Sequence, residues 1–392
     1  MRFTNRLFAQ HLGWTFKKHW QTQGKRIPND TGAVSDLEKV GILVKSPSDV
    51  ITVRESNLAS VERHEQRCYM YANHNVLLEG LLQAQVLTNT VKIHGLPKPL
   101  QELIDNIKIP SSVERNVEQA VLNSDIYDAE QTLLSRKQNP NRPGYKYPRT
   151  YGQSQLRRNR VLLNKLLNEC EKLSSADVST NRRIIDDAVY KVTLPINECL
   201  LQMNITANKI ITTQKPIEPL KGRFESELPE LYPTKSTISL PHGNCYTLET
   251  KCPLSNGKYS NPHTVITFFD KENLRNVHGT TTTGSQFQSR TLLSAFAVAA
   301  TRAKQLYGDT NIEKIPKPIV IQSVQTDGRT FHFGVFQLNT LIIDGKTDSK
   351  NYWFQEENID LYKHCSYING QPRLDGCDNN VIRNLAAFYN NI

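Results

Sequence analysis

Glu249 and Lys251 stand two apart in YTLETKC, the spacing of the Glu-x-Lys half of a metal-dependent nuclease site. There a bound cation would polarise a phosphate and activate water. Such a centre needs a second metal-binding acid upstream, and no matching motif supplies one. The plainer reading is a solvent-facing charge pair on a strand. His242, Cys245, Cys252 and His263 offer four zinc-ligand side chains. Their spacing, HxxC followed by two isolated ligands, lacks the paired knuckles of structural zinc sites. Small buried thiols and surface rings are the ordinary alternative. The segment 279–286, GTTTTGSQ, has the two-glycine frame of a phosphate-binding loop, but Ser285 occupies the lysine position. Without that cation the grip on the terminal phosphates is lost, leaving a surface loop before a helix. His332, between Phe331 and Phe333, reads as a hydrogen-bonded, half-buried strand residue, with no GxSxG or Cys-His signature beside it. No catalytic, cofactor-binding or metal-binding residue is assigned, and the chain is not expected to be an enzyme.

A different chemistry is concentrated between residues 131 and 168, where no Asp or Glu occurs. The candidate RNA-binding set is Arg136, Lys137, Arg142, Lys146, Arg149, Tyr151, Arg157, Arg158 and Arg160. Arginine pairs with phosphate in two-point geometry, and tyrosine stacks on unpaired bases. Pro140, Pro143 and Pro148 break the first half, and Tyr145, Tyr147 and Tyr151 are interleaved with the cations. An arm packed on a protein neighbour, or a solvated arm, is the alternative.

The rest of the chain supports that emphasis. The 392 residues carry a net charge of +10, which favours a polyanionic partner. Hydrophobic residues make up 38%, enough for a folded core, yet no apolar run approaches the ~20 residues of a membrane helix. Seven widely spaced cysteines without a CxxC read as reduced thiols. No acid precedes Asp30, and Phe8, Leu12, Phe16 and Trp20 recur every fourth residue. Residues 1–30 are therefore expected to be a basic, amphipathic mitochondrial targeting segment.

The expected fold is α/β or α+β: a mixed sheet with packed helices in the C-terminal half, and a helical and irregular N-terminal half with a basic arm. Residues 31–130 form an extended and helical region. It has a short strand at 50–53 and a helix over 73–89 burying Leu77, Leu78, Leu81, Leu82 and Ala84. A second helix opens at Ser111, with Ser111 and Glu114 as a capping box and Val113, Val117, Ala120 and Val121 inward. Residues 131–223 hold the arm, a helix burying Leu156, Leu163, Leu166, Leu167 and Cys170, and an unassigned stretch over 176–213. Residues 224–392 form the C-terminal α/β domain. Its strands are expected at 246–249 and 264–269, followed by a helix over 289–307. PIVIQSV and TFHFGVFQL then make a hairpin about Asp327 and Gly328. That turn sets Val320 opposite Val335 and Val324 opposite Phe331.

Five blocks carry a family resemblance: NVLLEGLLQAQVLTNTVKIHGLP, LYPTKSTISLP, PHTVITFFDKENLR, SAFAVAATRAKQLYG and PIVIQSVQTDGRTFHFGVFQLNT. Together they resemble the animal family of mitochondrial large-ribosomal-subunit protein thirty-seven. The likeness covers roughly residues 65–105 and 224–370, is patchy over 106–223 and is weak in the first 60. It implies a mitochondrial matrix protein that is a structural constituent of the large ribosomal subunit. The implied partners are large-subunit ribosomal RNA and other mitochondrial ribosomal proteins, among them the related programmed cell death protein nine. A mitochondrial RNA-processing or nuclease-like metal-dependent enzyme is the competing function, and an acidic triad around Glu249 would distinguish it.

Overall fold

The computed structural model describes residues 32–45 and 62–392, apart from 135, 137, 140, 141, 221, 223–226, 255, 256, 272, 273, 275, 277–279, 309–311 and 346. The expected targeting segment, the strand at 50–53 and Lys137 lie outside the described residues. By internal contacts the chain divides into residues 1–60 and residues 61–392. In the first unit one exposed helix, α1 (Ala33–Lys39), is described.

The second unit opens with β1 (Glu62–Ala72), α2 (Gly80–Leu87), β2 (Thr90–His94), α3 (Lys98–Asn106) and α4 (Ser111–Leu122). Four short strands follow: β3 (Thr132–Leu133), β4 (Gln138–Asn139), β5 (Arg142–Lys146) and β6 (Tyr151–Gly152). Next come α5 (Gln155–Leu173), α6 (Ala176–Thr180), and two long strands, β7 (Arg182–Ile196) and β8 (Cys199–Thr213). The C-terminal part contributes β9 (His242–Tyr246), β10 (Asn261–Phe268), α7 (Gly284–Tyr307), β11 (Ile319–Thr326), β12 (Thr330–Leu338), β13 (Asn351–Gln355), β14 (Ile359–Asp360), β15 (His364–Ile368), β16 (Gln371–Asp375) and α8 (Asn379–Asn390).

Ten strands make one mixed sheet in the order β2-β13-β12-β11-β10-β8-β1-β9, with β7 also on β8 and β14 on β12. The α+β expectation holds, with one difference: four strands from before residue 224 join the same sheet, β2 at one end and β1, β7 and β8 toward the other, where β9 is the last strand. The unassigned stretch 176–213 is the longest hairpin, β7 against β8. One half of β8 pairs with β1 and the other with β10, so this strand joins the two parts of the sheet.

Alternating side chains divide the core between the two faces. Val265, Ile321, Phe336 and Trp353 pack beneath α2 and α7. Ile266, Val324, Phe331, Phe333 and Phe354 pack against α3, α4, α5 and α8. Helix α7 is buried from Gln286 through Ala303 save for Gln288, because its small-residue SAFAVAATRA run lets α2 and the strands of the sheet approach closely.

Several local expectations change. The helix expected over 73–89 begins only at Gly80, so Leu78 and Leu82 stay exposed. Gly80 has φ +56°, and a Cβ there would lie 2.6 Å from Ser285 Oγ, so its lack of a side chain lets two helix starts meet. Pro110, not Ser111, precedes α4, and no side chain caps that helix; its buried face is as expected. The capping box occurs at α7 instead, where Thr283 and Gln286 bond reciprocally. Leu156 is exposed at the start of α5, while Leu162 and Asn159 join the inner face.

The β11–β12 hairpin forms, but Val324 faces Phe333 and Val320 faces Gln337. Asp327 and Thr330 close the turn, so Gly328 and Arg329 are its central residues. The Asp327 carboxylate accepts from the Arg329 and Thr330 amides at 3.0 and 2.8 Å, which moves the turn one residue along. Moving the turn by one shifts the pairing by two, so every side chain keeps its face.

Candidate nucleic-acid interface

The arm is built from two short ladders. At its base β3 pairs with β6, Thr132 opposite Gly152 and Leu133 opposite Tyr151. Further out β4 pairs with β5, Gln138 opposite Lys146. Proline and glycine keep these ladders to a few rungs, and no buried apolar side chain is described between 130 and 152. The surface is therefore cation and tyrosine. Arg136, Arg142, Lys146 and Arg149 are exposed. Tyr145, Tyr147 and Tyr151 are 52%, 44% and 71% exposed, and the first two rings meet edge-to-face at 5.6 Å. Among the described residues no carboxylate lies within ion-pair distance of Arg136, Arg142, Lys146 or Arg149.

The second half of the candidate set sits differently. Arg157, Arg158 and Arg160 lie on the first turns of α5, whose start is capped by the Ser154 hydroxyl. Arg157 Nε and Nη2 hold the Asp128 carboxylate at 2.5 and 3.1 Å, and its Nη1 is 2.6 Å from Glu130. That hydrogen bonding holds the Asp128 carboxyl below the usual range. Arg158 lies 3.9 Å from Asp125. Arg160 makes a two-point contact with Asp187 at 3.0 and 2.7 Å. The sequence is free of acids across this stretch, but the fold brings them from before the arm and from β7. An acid-free stretch of sequence is thus not an acid-free surface, and all three of these cations have acidic partners. Gln153 also donates to the Asp128 carbonyl, and Gln155 to the Asp327 carbonyl, tying the base of the arm to the β11–β12 turn. Gly328 belongs to that contact, since a Cβ there would fall 2.4 Å from Asn159 Oδ1.

The other constellations do not assemble. Glu249 is exposed in an irregular segment, because β9 ends at Tyr246. Lys251 makes an isolated bridge to Lys191. His263 is buried, with Nδ1 2.8 Å from Thr264 Oγ1 and Nε2 2.8 Å from the Asn391 carbonyl. His242 and Cys245 are exposed on β9, and burial raises the Cys252 thiol. Among the described residues no group of three or more His, Cys, Asp or Glu is placed to hold a metal. The Ser285 hydroxyl accepts from the Leu81 backbone amide at 2.9 Å, and the Gln286 side-chain Nε2 donates to the Leu77 and Leu78 carbonyls. The resemblance to a phosphate loop is thus a packed helix start. His332 is fully buried rather than half-buried. Among the described residues no helix is long and apolar enough to cross a membrane.

Comparison with known proteins adds the decisive observation. Over 308 residues the chain is 32% identical to large ribosomal subunit protein mL37 of Rattus norvegicus, covering 76% of this chain and 67% of that protein. The Mus musculus protein of the same name matches at the same identity and coverage. The chain belongs to the mL37 family. The Gallus gallus mL37 is 28% identical over 316 residues, covering 78% of this chain and 68% of that protein. Residues 261–392 also match the family described as mitochondrial 28S ribosomal protein S30 (PDCD9). That match covers the C-terminal strands, α7 and α8 alone, whereas the mL37 likeness spans most of the chain, so mL37 membership carries the assignment.

The candidate interface thus has a proximal part, whose arginines are paired with acids, and a distal part, whose cations are not. The missed residues are Asp125, Asp128, Glu130 and Asp187, which set the division. Asp128 and Glu130 stand just before the acid-free stretch in SDIYDAEQ, a visible signal. Asp187 had none, since its place beside Arg160 depends on the β7–β8 hairpin.

Proposed function

We propose that this mL37-family chain is a structural constituent of the mitochondrial large ribosomal subunit, and that its distal arm touches large-subunit ribosomal RNA. The observation that carries the first part is the 32% identity to mL37 across three quarters of the chain. Support for the second is a projecting ladder with four exposed, unpaired cations and three exposed tyrosines. Tyrosine and arginine also serve protein interfaces, so what favours RNA is the set of four cations with no acidic partner among the described residues. Arg157, Arg158 and Arg160 brace the arm, because each already has an acidic partner. Residues 1–30 act as the mitochondrial targeting segment in this reading. A programmed-cell-death-protein-nine relative is the proposed protein neighbour. The nuclease alternative has no support in the surroundings of Glu249.

Gradient sedimentation of tagged chain from mitochondrial lysate tests the proposal. Co-migration with the large subunit is expected, persisting after small subunits are dissociated. A chain found wholly at the top of the gradient, in cells with intact ribosomes, would overturn it.

A further inference from the structure

Beneath α7 three polar side chains stand in one row across the sheet. Thr267 of β10 is paired with Gln325 of β11, and Gln325 is opposite His332 of β12. Paired residues share a face of a sheet. This face looks toward α7, since Gln325 Nε2 donates to the Phe287 carbonyl at 2.7 Å and His332 Nδ1 lies 2.7 Å from Thr291 Oγ1. All three residues are buried, none more than 1% exposed. Each nevertheless keeps one polar atom that no protein group meets in good hydrogen-bond geometry: Thr267 Oγ1, Gln325 Oε1 and His332 Nε2, the Glu356 backbone acting on the His332 ring without reaching that geometry.

The roles of these atoms follow from their other bonds. Turning the Gln325 amide over would set Oε1 against the Phe287 carbonyl, acceptor against acceptor, so Oε1 is the free end. Burial drives the His332 imidazolium out, with its pKa pushed down to about 3, so the ring is neutral. The Nδ1–Thr291 Oγ1 bond admits either tautomer, so Nε2 is a donor when Thr291 donates and an acceptor when Nδ1 does, and a water can meet both. The row then offers that nitrogen, an acceptor and a hydroxyl that can act as either.

Buried polar atoms rarely go unmatched, and three in adjacent positions call for a common partner. We propose that the row Thr267–Gln325–His332 is a buried water-binding site. One water bridges His332 Nε2 and Gln325 Oε1, donating to the latter. Neighbouring strands are ~4.8 Å apart, so Thr267 and His332 are roughly 10 Å apart along the row. A second water therefore links the first to Thr267 Oγ1. Buried waters of this kind make about three hydrogen bonds each to groups that would otherwise be unsatisfied. The site ties β10, β11 and β12 to one another and to α7.

The test is a density map of the full chain, free or in its ribosomal subunit, at a resolution that shows ordered water. The expected result is a peak about 2.7–3.2 Å from both Gln325 Oε1 and His332 Nε2. A map with no peak there, or with Gln325 Oε1 bonded directly to His332, overturns the proposal. A second map of Gln325→Leu, which removes the acceptor at similar volume, should lose the peak beside His332. A peak of unchanged strength in that variant would equally overturn it.

Discussion

Phe331 and Gly334, three residues apart on β12, show how much one side chain decides. Phe331 is fully buried among Val324, Phe333 and the helices of the second core. Its ring lies 6.3 Å from that of Phe333, which in turn meets Phe388 edge-to-face at 5.2 Å. Phe331→Ala should cost about 3–5 kcal/mol, read as a lower denaturant midpoint at unchanged slope. Stability equal to the native chain would show that the cavity collapses without loss. Gly334 is small for a different reason. A Cβ at this position would stand 2.2 Å from the Trp353 ring, itself fixed by an Nε1 hydrogen bond to Gln355 at 2.7 Å. Gly334→Ala must displace that ring, so a loss of about 1–3 kcal/mol is expected, with a changed tryptophan emission spectrum. An unshifted spectrum and midpoint would show that the indole has room to move.

At the scale of elements, the arm and the long hairpin mark what the sequence made legible. The arm was visible through composition alone: cations, tyrosines and prolines with no acid among them. Its electrostatics were not, because ion pairing depends on which distant carboxylates the fold delivers. The hairpin β7–β8 shows the converse. Ala188, Tyr190, Val192, Leu194 and Ile196 alternate inward, as do Leu201, Met203, Ile205 and Ala207. Lys191, Thr193, Asn204 and Thr206 alternate with them and carry that period of two. The apolar Val189, Pro195 and Leu200 fall out of phase with it and blur it, and Asp187 with φ +51° interrupts the pairing. Helix α7 and strands β10 to β12 were found because continuous apolar runs need no phase to recognise. The division of the arm yields a quantitative expectation. Replacing Arg142, Lys146 and Arg149 with Ala should weaken binding to large-subunit RNA and flatten its salt dependence by about 0.7 per lost contact. Arg157→Ala should leave the salt slope nearly unchanged, while exposing the base of the arm to proteolysis. Equal slopes for the native chain and the triple variant would assign the arm to a protein neighbour.

For the whole molecule, stability must depend on pH through two buried rings. The pKa values of His263 and His332 are both pushed from 6.5 down to about 3 by burial. Each is neutral in the fold at a pH where the unfolded chain takes up a proton. The stabilisation is therefore full above about pH 6.5 and declines as pH falls toward the folded values. Each ring adds a slope tending to about 1.4 kcal/mol per pH unit in that window. Chemical denaturation between pH 7.5 and 4.5 would measure it. A flat profile from 6.5 to 5 would mean that neither ring is shielded from protonation.

The order of strands in the sheet has a further consequence, in time rather than in space. Edge strand β2 finds its parallel partner in β13, Thr90 beside Asn351 and His94 beside Gln355. Nearly the whole chain must leave the ribosome that makes it before that edge can close. Such distant pairings are the slow step of folding, and until they form the open edge invites association with other chains. All four strands of the arm lie between Thr132 and Gly152, so its ladders can close locally and fast. Ladders this short, with no apolar core of their own, hold only once Asp187 of β7 and the β11–β12 turn arrive to brace their base.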